Sequence, residues 1–165
     1  MVHSSKLPEK ATREQAIATL NDHEFFLGCD PHLSTFEILE TSDPPPALPE
    51  VVKEQGTGEK TASFRVTDIV HAVPAGLWDT KVVSTYEITN VKDGIFARIK
   101  SPLSIVMDTW WQVKKGEDGA LELVEEIEIN CSRFLVGIVR SQCENGWAKI
   151  HAKILKRLED EVQTR

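Results

Sequence analysis

The run "SRFLVGIVRSQCENGWAKIHAKILKRLEDEV", residues 132–162, decides the fold. It contains no proline, and its apolar residues recur at helical spacing. The clearest stripe consists of Trp147, Ile150, Ile154, Leu158 and Val162. Because a helix with one apolar stripe buries that stripe against another element, the run predicts one long helix, from about residue 134 to 162, packed on a large apolar partner.

The residues before this helix supply that partner, because they have the pattern of consecutive strands. From residue 62 onward, apolar and polar residues alternate in "ASFRVTDIVHAV", "KVVSTYEITNV", "GIFARIK", "SIVMDTWWQV" and "LELVEEIEINC". Asp93 and Gly94 form a strong hairpin signal between the second and third of these runs. Strands that follow one another without intervening helices predict an α+β fold with an antiparallel sheet.

The chain divides into a short N-terminal segment and one domain. Residues 1–11 are polar and are predicted to be a flexible N-terminus, followed by a single domain over residues 12–165. The proline-rich run "TSDPPPALPE", residues 41–50, allows neither a helix nor a central strand and therefore predicts a loop.

Two short helices are predicted before the first long strand. Thr12 and Gln15 have the spacing of a capping box, which starts the first helix. Asp30 is predicted to be the N-cap of the second helix, with Pro31 as its first helical residue. The two helices would then join at "LGC", residues 27–29.

The stretch "NDHEFFLGCDPHLS", residues 21–34, concentrates residue types that bind metal ions. The candidate ligands are His23, Glu24, Cys29, Asp30 and His32. Their spacing does not match a zinc site, because "HEFFL" lacks a second histidine four positions on and no CxxC is present. We therefore predict no metal here and interpret these residues as shaping the chain.

Composition limits the expected partners and compartment. The formal net charge of −7 disfavours nucleic acid and anionic membrane surfaces as partners. The three cysteines are scattered and predict no disulfide framework. Neither a signal peptide nor an apolar run long enough for a membrane span is visible, so we expect a reduced, cytoplasmic protein.

The stretches "VTDIVHAVPAGLWDTKV", residues 66–82, and "DTWWQV", residues 108–113, together with the long terminal helix, resemble the START-like or SRPBCC superfamily. More narrowly, they are similar to a group of uncharacterised fungal proteins in it. The resemblance implies a helix-grip (Bet v 1-like) fold, in which a curved antiparallel sheet wraps around a long C-terminal helix beside two short N-terminal helices. It also implies a pocket, but it does not choose among lipid carriers, hormone receptors, ligand-binding allergens and polyketide cyclases.

Strand parity predicts which side chains face that pocket. A five-residue loop, Gly116–Ala120, puts the apolar residues of the last hairpin on one face, together with Thr109 and Glu125. The same parity turns Trp110 outward, where it favours a homodimer contact.

Two earlier strands also carry polar residues on their apolar faces. Asp68 lies on the apolar face of "FRVTDIV", and a two-residue turn at Asp93-Gly94 places Tyr86 inward. An unpaired carboxylate on an apolar face is costly, so it indicates either a polar neighbour or a function. A buried carboxyl group has a raised pKa and can act as an acid or a base.

These arguments give two sets of candidate residues. The predicted catalytic residues are Asp68, Glu125, Tyr86 and His151. The predicted substrate-binding residues are His71, Trp78, Met107, Thr109, Trp111, Ile127 and Trp147.

Two functions remain open. The first is a cyclase or isomerase that closes a ring in a polyketide-like or other small hydrophobic substrate by lactonisation or aldol chemistry, as in secondary metabolism. No metal or other cofactor is predicted for it, because GxGxxG, P-loop and HExxH motifs are absent from the sequence. The second is a non-catalytic carrier of a small hydrophobic molecule, which the same residues support.

Overall fold

The structure is a computed structural model that describes residues 1–42, 44–72 and 78–164, without the side chains of residues 71, 72, 78 and 79. In chain order the elements are β1 (Val2–Lys6), α1 (Arg13–Asn21), α2 (His23–Gly28), β2 (Leu33–Leu39), α3 (Glu50–Gln55), β3 (Ala62–Ala72), β4 (Trp78–Val91), β5 (Gly94–Ser101), β6 (Ile105–Lys115), β7 (Leu121–Asn130) and α4 (Val136–Gln163).

The described strands form one seven-stranded antiparallel sheet with the order β1-β7-β6-β5-β4-β3-β2. Strands β2 to β7 follow chain order, while β1 crosses over to pair with β7. Lys115 pairs with Leu121, which confirms the predicted five-residue loop. Trp111 pairs with Glu125 and therefore shares its face, as strand parity predicts.

Helix α4 lies against the inner face of this sheet, as the terminal sequence pattern predicts. Its C-terminal half buries Ile154 and Leu158 in the main core, together with Leu20 of α1 and Phe26 of α2. Phe26 makes an edge-to-face contact with Trp111 of β6, with ring centroids 5.1 Å apart. The predicted α+β helix-grip fold, a curved antiparallel sheet around a long C-terminal helix, is confirmed.

The N-terminal residues are not a loose segment, contrary to the prediction for residues 1–11. Val2–Lys6 form strand β1, which pairs with β7 along its whole length. The prediction failed because the inward residues of this strand, His3 and Ser5, are polar rather than apolar. Each hydrogen-bonds a side chain from another element, so the strand is anchored without an apolar pattern.

The junction between the two short helices also differs from the prediction. Asp22, not Asp30, caps the second helix, and its side chain accepts a hydrogen bond from the Phe25 N–H at 3.2 Å. The same carboxylate accepts a hydrogen bond from Arg157 of α4 at 2.8 Å, which fixes the cap against the long helix. Asp30 instead accepts from the His32 N–H and turns the chain into β2.

The turn between β4 and β5 is shifted from Asp93-Gly94 to Lys92-Asp93, because Val91 pairs with Gly94. Gly94 has a φ of +153°, and a Cβ atom added there would lie 2.0 Å from the carbonyl oxygen of Trp111. With the turn in this position, each residue of β4 pairs with a residue of β5 two positions away from the predicted one. Because side chains alternate between the two faces of a strand, a change of two positions leaves Tyr86 on the predicted face.

Trp110 faces outward as predicted, but its own chain partly covers it. It packs on Phe96 with ring centroids 5.1 Å apart, in a small cluster that includes Val52 of α3. The argument for a homodimer through Trp110 is therefore weaker than the sequence indicates, and the dimer stays a prediction. Among the described helices, none combines the length and the apolarity needed to cross a membrane.

We expect Gly94→Ala to lower the free energy of unfolding by roughly 1–3 kcal/mol, because a methyl group cannot fit against the Trp111 carbonyl. Thermal unfolding followed by circular dichroism measures the change. Gly28→Ala is the control, because a Cβ there meets no atom within 4 Å. Equal melting temperatures for the two variants would contradict the close approach.

Candidate functional site

A cavity of about 300 Å³ lies between the inner face of the sheet and the N-terminal half of α4. Most of its surface is apolar, with side chains such as Val66, Ile99, Met107, Ile127, Ile138 and Trp147. Gly146 of α4 also lines it, and a Cβ added at this glycine would meet no atom within 4 Å. The missing side chain on the helix therefore contributes to the empty space.

Most of the predicted site residues meet in this cavity. It is lined by Asp68, Tyr86, Met107, Thr109, Trp111, Glu125, Ile127 and Trp147. The side chains of His71 and Trp78 lie outside the described residues. Sheet geometry explains the convergence, because inward residues on neighbouring strands of a curved sheet point toward one centre. The catalytic and binding roles of these residues remain predictions.

Among the predicted site residues whose side chains are described, His151 does not line the cavity. Its Nδ1 is 2.8 Å from the Ser5 hydroxyl, and its ring is packed behind Trp111 and Trp147. Burial lowers its pKa to about 4, with a smaller contribution from His3. His151 is not among the residues that line the cavity, and its buried Nε2 has no hydrogen-bond partner in the described part of the chain, so the structure does not place it to donate to a bound substrate.

A histidine that the sequence analysis missed connects the cavity to the surface. His3 Nδ1 lies 2.9 Å from Oε2 of Glu125, and His3 Nε2 lies 3.2 Å from Oε2 of Glu144. Glu125 and His3 are buried, whereas the side chain of Glu144 is 49% exposed. The three residues form a continuous hydrogen-bonded chain from solvent to the cavity wall, which we call the Glu144–His3–Glu125 chain.

This chain can hold a proton in more than one place. An imidazolium with a carboxylate at each nitrogen donates a hydrogen bond to both carboxylates. A neutral imidazole in the same place donates to one carboxylate and accepts from the other group, which is then a carboxylic acid. Burial raises the pKa of Glu125, and the hydrogen bond from His3 opposes that effect. His3 is also stacked on Trp147, with ring centroids 4.7 Å apart and an interplanar angle of 4°. The ring is thereby fixed between its two partners.

The other end of the cavity carries a second carboxylate in a different environment. Asp68 Oδ1 is buried and has no hydrogen-bond partner in the described part of the chain. Burial raises the pKa of this carboxyl group to about 6, and the charge of Asp30 adds to the effect. Tyr86 beside it has a pKa well above its usual value, chiefly because of burial. Its phenol therefore remains protonated.

The two carboxylates stand on well-separated strands. Asp68 is on β3 and Glu125 is on β7, which are separated by four strand spacings of about 4.8 Å each along the sheet. The two ends of one bound molecule can therefore meet different carboxyl groups. Thr109, between them, donates its hydroxyl to the Ala97 carbonyl at 3.3 Å and so has an internal partner.

Three of the five candidate metal ligands of residues 21–34, His23, Cys29 and Asp30, have other hydrogen-bond partners. His23 Nε2 lies 2.8 Å from Asn90 Oδ1, and the buried Cys29 thiol donates to the Phe25 carbonyl. Within the residues described, no group of three or more His, Cys, Asp or Glu side chains is arranged to hold a metal ion.

Comparison with solved structures identifies a protein whose fold is similar to that of this chain. The chain is similar to the crystal structure of TTHA0849 from Thermus thermophilus, with a TM-score of 0.59 and 13% sequence identity over 98% of this chain and 97% of that one. At that identity the likeness concerns the fold alone.

Comparison of sequences gives the family. No curated protein matches the chain in sequence. The profile of one family, described as a domain of unknown function, matches residues 1–160 and so spans the sheet, the cavity and nearly all of α4. The chain therefore belongs to the DUF7053 family.

Proposed function

We propose that the protein is a cofactor-independent acid–base catalyst of the cyclase or isomerase class, acting on a small, largely apolar substrate in the cavity. One observation carries the proposal: the buried Glu125 carboxylate lines the cavity and connects to the surface through His3 and Glu144. A buried carboxylate with a positioned imidazole is suited to moving protons, and it adds nothing to passive apolar binding.

The reaction class follows from what the side chains can exchange. Glu125 takes a proton from a C–H or O–H bond of the substrate, and the electrons of that bond form the new double bond or the new ring bond. A π bond of the acceptor carbonyl or alkene in the same substrate breaks at the same time, and its electron pair moves to the atom that is then protonated. The same proton returns to another atom of the product, so no oxidant, reductant or cofactor is consumed. His3 and Glu144 act as positioning residues that stabilise each charge state of Glu125.

The proposal includes the finer family relationship. Membership of the START-like or SRPBCC superfamily, and of its uncharacterised fungal group, is supported by the helix-grip fold at the level of fold only. A polyketide-like substrate is one option within this proposal, because polyketide cyclases occur in that superfamily. Cytoplasmic location belongs to the same set of expectations.

A non-catalytic carrier is the second candidate. It is favoured by the apolar character of the cavity wall and by the internal hydrogen bond that satisfies Thr109. Both functions require that a small apolar molecule enters the cavity. Binding can therefore be tested before catalysis.

We expect Gly146→Leu to weaken binding of N-phenyl-1-naphthylamine, a small neutral fluorescent probe, by at least about tenfold, because the leucine side chain occupies the cavity. Folding should not suffer, since leucine is favoured over glycine inside a helix by about 0.5–1 kcal/mol. Fluorescence titration and thermal unfolding measure the two effects.

Gly137→Leu is the matched control for this experiment. It makes the same exchange in the same helix at a glycine that does not line the cavity, and a Cβ there also meets no atom within 4 Å. Unchanged probe binding in Gly146→Leu, or equal losses in both variants, would show that the probe does not occupy this cavity.

We expect the protein to speed exchange of the acidic C–H protons of 2-tetralone, a small apolar ketone, with deuterium from solvent. Glu125→Gln should lower this rate about 10²-fold or more, because the amide keeps the shape of the carboxylate but cannot accept the proton. Proton NMR in deuterated buffer follows the exchange. Glu128→Gln, at an exposed position on the outer face of β7, is the control.

The two candidate functions separate in this experiment. If the probe binds while wild type and Glu125→Gln exchange 2-tetralone at equal rates, the catalytic function is wrong and the carrier function remains. The comparison requires both proteins to have similar melting temperatures, which thermal unfolding establishes.

A further inference from the structure

The charge of the cavity wall has one sign. Asp30, Asp68 and Glu125 line the cavity, and His32 also lies on its wall. Among the described lining residues there is neither lysine nor arginine. Residues 71–79, of which side chains are not described, also contain neither in the sequence.

We propose that the cavity selects a small apolar molecule that carries a protonated amine, which is held by the Asp68 carboxylate. This inference rests on the proposed function to the extent that the cavity binds a small, largely apolar molecule. The inference further specifies that this molecule is positively charged and that its polar group is an amine.

Asp68 supplies the reason for an amine. Its Oδ1 atom is buried and has no hydrogen-bond donor in the described part of the chain. A buried carboxylate oxygen without a donor is costly, and an ammonium group supplies both the N–H bonds and the opposite charge. The carboxylate already lines the cavity, so a bound molecule can reach it without displacing a protein partner.

The apolar part of the wall also suits a cation. Tyr86, Trp111 and Trp147 all line the cavity. The ring of Tyr86 lies beside Asp68, and such a ring attracts a cation, most strongly when the cation is removed from water. Trp111 and Trp147 lie at the Glu125 end of the cavity, where they offer apolar surface to the body of the ligand. His3 covers one face of Trp147, and Phe26 and His151 pack against Trp111, so the ligand meets only the remaining surfaces of these two rings.

Other ligand charges fit the wall less well. A carboxylate or phosphate would meet Asp68 and Glu125 without a lysine or arginine among the described lining residues to neutralise it, and like charges in a cavity repel. A neutral molecule avoids that repulsion but gives Asp68 no opposite charge. The expected order of affinity is therefore amine, then neutral molecule, then carboxylate.

The protonation of Asp68 determines how the affinity for an amine changes with pH. Among the side chains that the structure describes, the titratable groups that line the cavity with it are Asp30 and His32 before β2, Tyr86 on β4, Glu125 on β7 and Cys143 on α4. Burial and Asp30 raise the pKa of Asp68 to about 6, so the carboxylate is charged at pH 7.5 and becomes protonated below pH 6. Amine affinity should therefore fall as the pH is lowered from 7.5 to 5.

The experiment uses three probes that share one apolar body. They are 3-phenylpropylamine, 3-phenylpropan-1-ol and 3-phenylpropanoate, and each is titrated into the full chain by calorimetry at pH 7.5 and pH 5. We expect the amine to bind at least about tenfold more tightly than the alcohol at pH 7.5, equivalent to 1.4 kcal/mol. That advantage should shrink at pH 5, whereas the affinity of the alcohol should not change.

Variants locate the effect. Asp68→Asn should remove most of the preference for the amine and leave the affinity of the alcohol within about twofold, because the asparagine keeps the shape and loses the charge. Glu128→Gln, which removes a carboxylate from the outer face, should leave the preference intact.

The outcomes distinguish the inference from the proposed function. Binding of none of the three probes would overturn both, because the cavity would then not take small apolar molecules. Equal or tighter binding of the alcohol or the carboxylate would overturn the amine inference and leave the proposed function standing. An amine preference that persists in Asp68→Asn would also overturn it, because the selectivity would then come from another site.

Discussion

Burial of the apolar stripe of α4 against the inner face of the sheet is the constraint on which the rest of the structure depends. The stripe is packed closely along only one half of the helix. Ile154 and Leu158 in its C-terminal half are sealed by α1 and α2, whereas Gly146 and its neighbours toward the N-terminus face empty space. One helix therefore both completes the core and forms a wall of the cavity.

The strand at the N-terminus resolves a problem that this arrangement creates. Parity on β7 places Glu125 on the inner face, where a carboxylate without a partner would be costly. Strand β1 brings His3 opposite Glu125 in the ladder and so provides that partner. The same strand brings Ser5 to the buried His151. The fold and the electrostatics of the site thus depend on one short polar strand.

The sequence predicts the parts of this structure that periodicity determines. Helical spacing locates α4 to within a few residues, and alternation gives the register of the last hairpin and hence the inward positions of Thr109 and Glu125. It cannot locate β1 by the same means, because that strand turns polar residues inward and leaves Val2 66% exposed. Pattern analysis detects apolar burial, and this strand is held by hydrogen bonds instead. Long-range partners explain the other differences: Arg157, 135 residues from Asp22, is bound to the carboxylate that caps α2. Glu144 is 141 residues from His3, so no local pattern can join them.

The energetics of the cavity favour the proposal that it binds a ligand. A leucine at position 146 would fill space that now stabilises nothing, and empty volume in a core lowers stability. Asp68 also lowers stability at neutral pH. Its pKa is raised to about 6 in the folded chain, whereas in the unfolded chain the same carboxyl group loses its proton at lower pH. Stability therefore falls as the pH rises from about 4 to about 6, and the full cost is present at neutral pH. Two features that each weaken the fold face the same cavity, and a bound molecule that fills the space and pairs with the carboxylate would offset both costs.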